Sequence, residues 1–254
     1  MNVSRNKRVR ALFWTLPWGV AIILGVLCFD QIATVSDARR LGRDFPRLAQ
    51  TPAELSGTSI SSSPGKRLSY LGYEFEVSLD DLDESRVRLI DRVQGIPFRS
   101  GPLMMLMTDR PDRFVQSVQI DRSEGAGIDR WLYGPPLLES DYAFTRAALA
   151  SIPADVRLFS SPLIAHRELA LLEMKRAFLL KGESVFSVES RLFRGFQFGR
   201  PPDSRIVVDL YDNRGHVQLT FVHCRNRPSV TQSEINRVIQ TIRPVQDRAH
   251  IPTH

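Results

Sequence analysis

Several patterns in the chain carry the residue types that chemistry uses. Ser63-Pro64-Gly65-Lys66 matches the S-x-x-K spacing in which a lysine one helical turn from a serine activates its hydroxyl. Pro-Gly between the two breaks the helix that would bring both side chains to one face, so the match is a coincidence of spacing. Gly65-Lys66 lacks the glycine five positions earlier that a phosphate-cradling P-loop needs, because position 60 is Ile. Gly125-Ala126-Gly127 is followed by Arg130 where a dinucleotide loop would place its third glycine.

Metal chemistry fares no better. Asp81, Asp83 and Ser85 begin like a calcium loop, but Arg86 replaces the turn glycine and Arg92 stands where a bidentate carboxylate should close the shell. A solvated acidic turn is the favoured reading, with a looser site on Asp80, Asp81, Asp83 and Glu84 left as an alternative. His166 stands alone in sequence. His216 and His223 are an odd number of positions apart, so a regular strand points them to opposite faces. Cys224, beside His223, reads as a small buried filler or as a reactive thiol, the former favoured because neighbouring strand residues diverge. No catalytic, cofactor-binding or metal-ligating residue is therefore assigned.

Arg194 is the more informative side chain. Within Arg194-Gly195-Phe196-Gln197 it interrupts the apolar parity of Leu192 and Phe196. Either a bulge at Gly195 turns it outward, or it is aimed at an anionic ligand or a partner carboxylate. Arg194 and Gln197 are accordingly the candidate ligand or partner contacts.

The elements that must position these residues begin with an anchor. The 254-residue chain carries 34 basic and 28 acidic side chains, a net charge of +6, and four of those six excess charges fall within residues 1–40. A nucleic-acid module would carry its basic excess on the folded domain; here the excess flanks the 19 uncharged residues 11–29, ALFWTLPWGVAIILGVLCF. As a helix this segment extends about 28 Å, enough to cross a hydrocarbon core of about 30 Å. Trp14 and Trp18 sit near its charged end, where indoles favour the headgroup region. The run is longer than a cleaved signal needs, and Leu27 before Cys28 argues against lipid attachment there. Arg5, Lys7, Arg8 and Arg10 precede it, which favours residues 1–10 in the cytoplasm and residues from about 30 onward outside.

Beyond the anchor, residues 30–66 read as a juxtamembrane segment and linker, since eleven of the sixteen residues 51–66 are Ser, Thr, Gly or Pro. Residues 67–254 suffice for one compact domain that buries about 70% of its unfolded surface. Its first strand alternates Leu71, Tyr73, Phe75 and Val77, and short apolar runs at 87–90, 96–98 and 103–107 predict a meander. Helices are predicted over 111–120, 140–151 and from Pro162, capped by Ser161, with Leu163, Ile164, Ala170, Leu171, Met174, Ala177 and Phe178 on one face. Phe186, Val188, Leu192, Phe196 and Phe198 share one parity. Ile206, Val208 and Leu210 then pair with Val217, Leu219 and Phe221 across Asp212–Gly215 as a hairpin. Thr231 and Glu234 form a capping box for a last helix striped by Ile235, Val238, Ile239 and Ile242, with a loose tail from about 245. The fold class is α+β, a largely antiparallel sheet with flanking helices behind one transmembrane helix and a linker.

The first strand 70–77, the hairpin 206–221 and the closing helix 231–243 resemble, in their order, α+β modules of the PsbP and Mog1 type, and the chain is similar to uncharacterised single-pass bacterial envelope proteins. The resemblance implies a non-enzymatic binding or accessory domain and transfers no functional residue; the failed motifs give no cofactor to expect. The expected function is a non-enzymatic domain at the bacterial inner membrane, facing the periplasm or cell exterior. Its partners would be the bilayer, through residues 11–29, and an envelope protein, with no nucleic acid. A membrane-anchored, hydrolase-like enzyme with a site assembled from distant residues is the alternative.

Topology is directly testable. Alkaline phosphatase fused after Pro64 should be active and a cytoplasmic reporter at the same site inactive; the reverse pair of results overturns the orientation.

Overall fold

The computed structural model describes residues 26, 28–55, 65–78, 81–113, 116, 140–158, 162–182, 184–213, 215–223 and 230–245. Trp14, Trp18, most of the 11–29 segment, residues 56–64, Gly125–Gly127, Ser161, Cys224 and the tail from 246 lie outside them. Among the described residues no helix is long and apolar enough to cross a membrane.

The chain divides into two units, Met1–Gln50 with Ser151–Met174, and Thr51–Ala150 with Lys175–His254. In the first unit, helix α1 (28–44) packs Val35 and Ala38 against Val156, Ala165 and Leu172. Gly42 is required there, because a Cβ would sit 2.9 Å from the Pro153 ring. His166 Nε2 lies 2.7 Å from the Asp30 carboxylate, so the histidine that stands alone in sequence has a partner 136 residues away.

The second unit is built on an eight-stranded sheet of order β1-β7-β8-β9-β10-β6-β5-β4 and a three-stranded sheet β11-β3-β2. The strands are β1 (Ala53–Glu54), β2 (Lys66–Tyr70), β3 (Tyr73–Val77), β4 (Arg88–Ile90), β5 (Val93–Pro97), β6 (Leu103–Asp109), β7 (Val185–Glu189), β8 (Arg194–Phe198), β9 (Arg205–Tyr211), β10 (His216–Val222) and β11 (Arg243–Pro244). All pairs are antiparallel except β1 with β7. The described helices here are α2 (Asp141–Ala150), the end of α3 (Pro162–Leu179) and α4 (Gln232–Thr241).

Strand alternation divides the core. On one face of the large sheet, Val188, Ile206, Val208, Leu210, Val217, Leu219 and Phe221 pack with the α4 stripe Ile235, Val238 and Ile239 and with Phe75 and Val77 of the small sheet. On the other, Phe196, Phe198 and Val207 meet Leu149 and Tyr142 of α2 and Phe178 of α3. The hairpin forms in the expected register, Ile206 opposite Phe221, Val208 opposite Leu219 and Leu210 opposite Val217. The Thr231–Glu234 capping box is also in place.

Several expectations are corrected. The segment read as one strand through Leu71 is a hairpin: Leu71 and Gly72 both take positive φ (50° and 78°) and form its two-residue turn, as a right-twisted hairpin demands. Within the stretch read as linker, Ala53–Glu54 pairs with β7, and at the chain's other end Arg243–Pro244 pairs with β3. Leu192 is exposed in the β7–β8 turn, and Phe193 takes its place in the core. On α3, Ile164, Ala170 and Ala177 are exposed, while Ala165, Leu171, Leu172 and Lys175 are buried. The helix is apolar round much of its circumference, so packing partners, not period, selected the buried arc.

The bulge expected at Gly195 is also absent. β8 pairs in unbroken register with both neighbours, and glycine is needed because a Cβ there would sit 1.8 Å from the Asp209 carbonyl oxygen. Gly195→Ala should therefore destabilise the protein by at least about 3 kcal/mol, since neighbouring backbone must move. Gly95→Ala, where the nearest atom is 3.7 Å away, should stay within about 1 kcal/mol. Urea midpoints measure both.

Candidate functional site

Register assembles the site. At one end of the large sheet Glu189, Arg194, Tyr211, His216 and Asp109 stand opposite one another in a single row across β7, β8, β9, β10 and β6. The row two residues along contains Ser187, Phe196, Asp209, Gln218 and Met107 on the same face. Strand pairing thus brings together polar residues up to 107 positions apart in the chain.

The deeper row holds a buried charge. Asp209 is fully buried; its Oδ2 pairs with Lys181 Nζ at 2.5 Å, and its Oδ1 accepts a hydrogen bond from Gln218 Nε2 at 2.8 Å. His216 Nε2 approaches Oδ1 to 3.4 Å, an attraction rather than an aligned hydrogen bond. Burial alone would raise the carboxyl pKa, but His216 and Lys181 outweigh it and hold the group at about 2. Tyr211 is pushed the other way, its phenol raised first by burial and then by the neighbouring Asp209 charge.

Above the carboxylate lies an aromatic ladder. Tyr142 stacks on Phe196 with centroids 5.6 Å apart, tilts against Tyr211 at 5.8 Å, and Tyr211 stacks on the His216 ring at 4.6 Å. Arg194 closes the ladder at the surface, its guanidinium carbon 4.2 Å from the Tyr142 ring centre. This placement restrains the guanidinium over the ring while Arg194 stays exposed, open to a ligand. Among the described residues Arg194 has no ion pair.

Two open grooves meet at this ridge. One, of about 780 Å³, has Arg146, Ser187 and Gln240 in its lining; the other, of about 500 Å³, has Ser140, Arg191 and His216. Tyr142, Glu189 and Arg194 belong to both. Of the two residues singled out from sequence, Arg194 is here and Gln197 is not. Gln197 is fully buried on the α4 face, where it donates to the Gly199 carbonyl and exchanges hydrogen bonds with Gln232, tying β8 to α4. Sequence reasoning missed Asp209, although a lone charge inside Ile206-Val207-Val208-Asp209-Leu210 was a visible signal. Among the described residues no group of three His, Cys, Asp or Glu is placed to hold a metal.

Because the native Asp209 carboxyl is held at about 2 against an ordinary 3.8, it contributes about 2 kcal/mol of stability above pH 4, lost as pH falls toward 2. Asp209→Asn should remove that part of the acid dependence and cost about 3 kcal/mol at pH 7 by leaving Lys181 uncompensated. Urea unfolding across pH 2–7 reads both effects.

In comparisons with protein-family models, curated proteins and solved structures, nothing matches this chain.

Proposed function

We propose that this chain is a single-pass, membrane-tethered binding module of the bacterial envelope that recognises a protein partner through the ridge of Tyr142, Glu189 and Arg194. Residues 11–29 span the inner membrane, the basic residues 1–10 stay in the cytoplasm, and the domain faces outward with the Ser/Pro-rich stretch setting its reach. The composition of residues 1–40 supports the tether. The observation that carries the binding reading is Arg194: exposed, held over the Tyr142 ring, without an ion pair among the described residues, and standing between two open grooves. Such an arginine is restrained before a partner arrives, so little side-chain entropy is lost when it meets a carboxylate.

The second reading, an anchored hydrolase, draws on His216, which lines the smaller groove beside buried Asp209. A general base needs a nucleophile in hydrogen-bond reach. Among the described residues no hydroxyl or thiol bonds to this imidazole, which favours binding over catalysis.

Crosslinking with mass spectrometry on the full-length protein in its native membrane should recover an envelope protein linked near residues 140–146 or 189–194. Arg194→Ala should reduce that recovery about tenfold, the equivalent of about 1.4 kcal/mol. No partner, or equal recovery from the variant, overturns the reading.

A further inference from the structure

The edge of the large sheet is occupied by a segment with little holding it there. β1 is two residues long, both exposed, and it pairs in parallel with β7 only at Ala53 opposite Phe186 and Glu54 opposite Ser187. The side-chain bond recorded for it is long, Ser187 Oγ donating to the Ala53 carbonyl at 3.4 Å. Leu55 packs on the core immediately afterwards and holds the segment in place. Beyond that point no strand among the described residues pairs with the outer side of β7: Val188 and Glu189 line the 780 Å³ groove, and the Glu189 carbonyl accepts from the side-chain amide of Gln240 at 3.1 Å in place of a strand N–H. An edge in this state is a template for a further strand.

The charges say what kind of strand. Glu54, Glu189, Arg146 and Arg194 share the groove. Neither arginine has an ion pair among the described residues, and Glu54 is supplied by β1 itself. When β1 leaves, two arginines remain against one carboxylate.

We propose that β1 is an internal stand-in for the partner, and that the β7 edge accepts an extended polypeptide segment with an acidic side chain at the position Glu54 occupies, the segment pairing along residues 186–189 and presenting its carboxylate to Arg146 and Arg194. This rests on the binding reading above and names its partner's chemistry. A segment tethered in cis has an effective concentration of the order of millimolar, so β1 competes with any free strand and sets a threshold for binding.

The probe is a fluorescein-labelled peptide of residues 51–57, TPAELSG, titrated by anisotropy into the full chain in detergent micelles. The combined variant Ala53→Gly, Glu54→Gly and Leu55→Gly releases the edge and should bind the probe at least about tenfold tighter than the unmodified chain. In that background Arg146→Ala, Arg194→Ala, or a probe carrying Gln for Glu should each weaken binding about tenfold. Equal affinity for released and unmodified chains, or indifference to both arginines, overturns the proposal. Should the released variant fail to fold, hydrogen exchange on the unmodified chain decides: excess probe must speed exchange of amides 53–55 and protect 186–189, and an unchanged pattern overturns it. Probe binding involves neither membrane insertion nor a native partner, so its failure removes the β7 edge and leaves Arg194-dependent crosslinking standing. Loss of those crosslinks with probe binding intact removes the partner and keeps the groove.

Discussion

A carboxylate sealed inside a sheet must be neutralised where it stands, and Asp209, in a strand paired on both sides, sets that requirement for the large sheet of this protein. Transferring such a charge out of water costs several kcal/mol unless partners compensate it. Three partners do so, from two parts of the chain: Lys181 just beyond α3, and Gln218 and His216 on β10 across the hairpin. Each fixes something else. Lys181 pins the end of α3 to the sheet, Gln218 fixes register between β9 and β10, and His216 is held where its ring supports Tyr211. The site is a consequence of this internal arrangement.

The surface follows from the interior through the aromatic ladder. His216 and Tyr211 carry Tyr142, Tyr142 carries the guanidinium of Arg194, and the two grooves open on either side. The opposite face of the same strands is occupied by α4 and the small sheet and is almost wholly apolar, apart from the Gln197–Gln232–Asn236 network that locks β8 to α4. One side of the sheet is devoted to stability, and the other exposes charge at a single end. At the sheet's far edge β4 leaves Leu89 and Ile90 exposed.

Much of this was legible in the residues. The β9–β10 hairpin, the β4–β6 meander, α2 and the capped α4 each follow from local period and turn chemistry, which act over neighbouring residues. The β2–β3 turn was hidden because Leu71 is an unusual residue at positive φ, so apolar alternation ran through it uninterrupted. β1 was hidden because a two-residue parallel strand has no pattern of its own and is defined by β7, more than 130 positions later. Gly195 looked like a bulge because a strand glycine has two causes, an irregular backbone or a close neighbour, and only the position of Asp209 distinguishes them.

The sequence by itself determined the α+β class, the hairpin register, the cap of the last helix and the concentration of excess charge around an apolar segment, because each is written in neighbouring residues. Only the tertiary structure decided that Arg194 is presented and Gln197 buried, that Asp209 is the centre of the sheet, and that Glu54 faces the groove of Arg146 and Arg194. Those outcomes depend on which strands lie side by side, and strand order is set by burial of two sheet faces at once, a constraint that no local stretch of the chain contains.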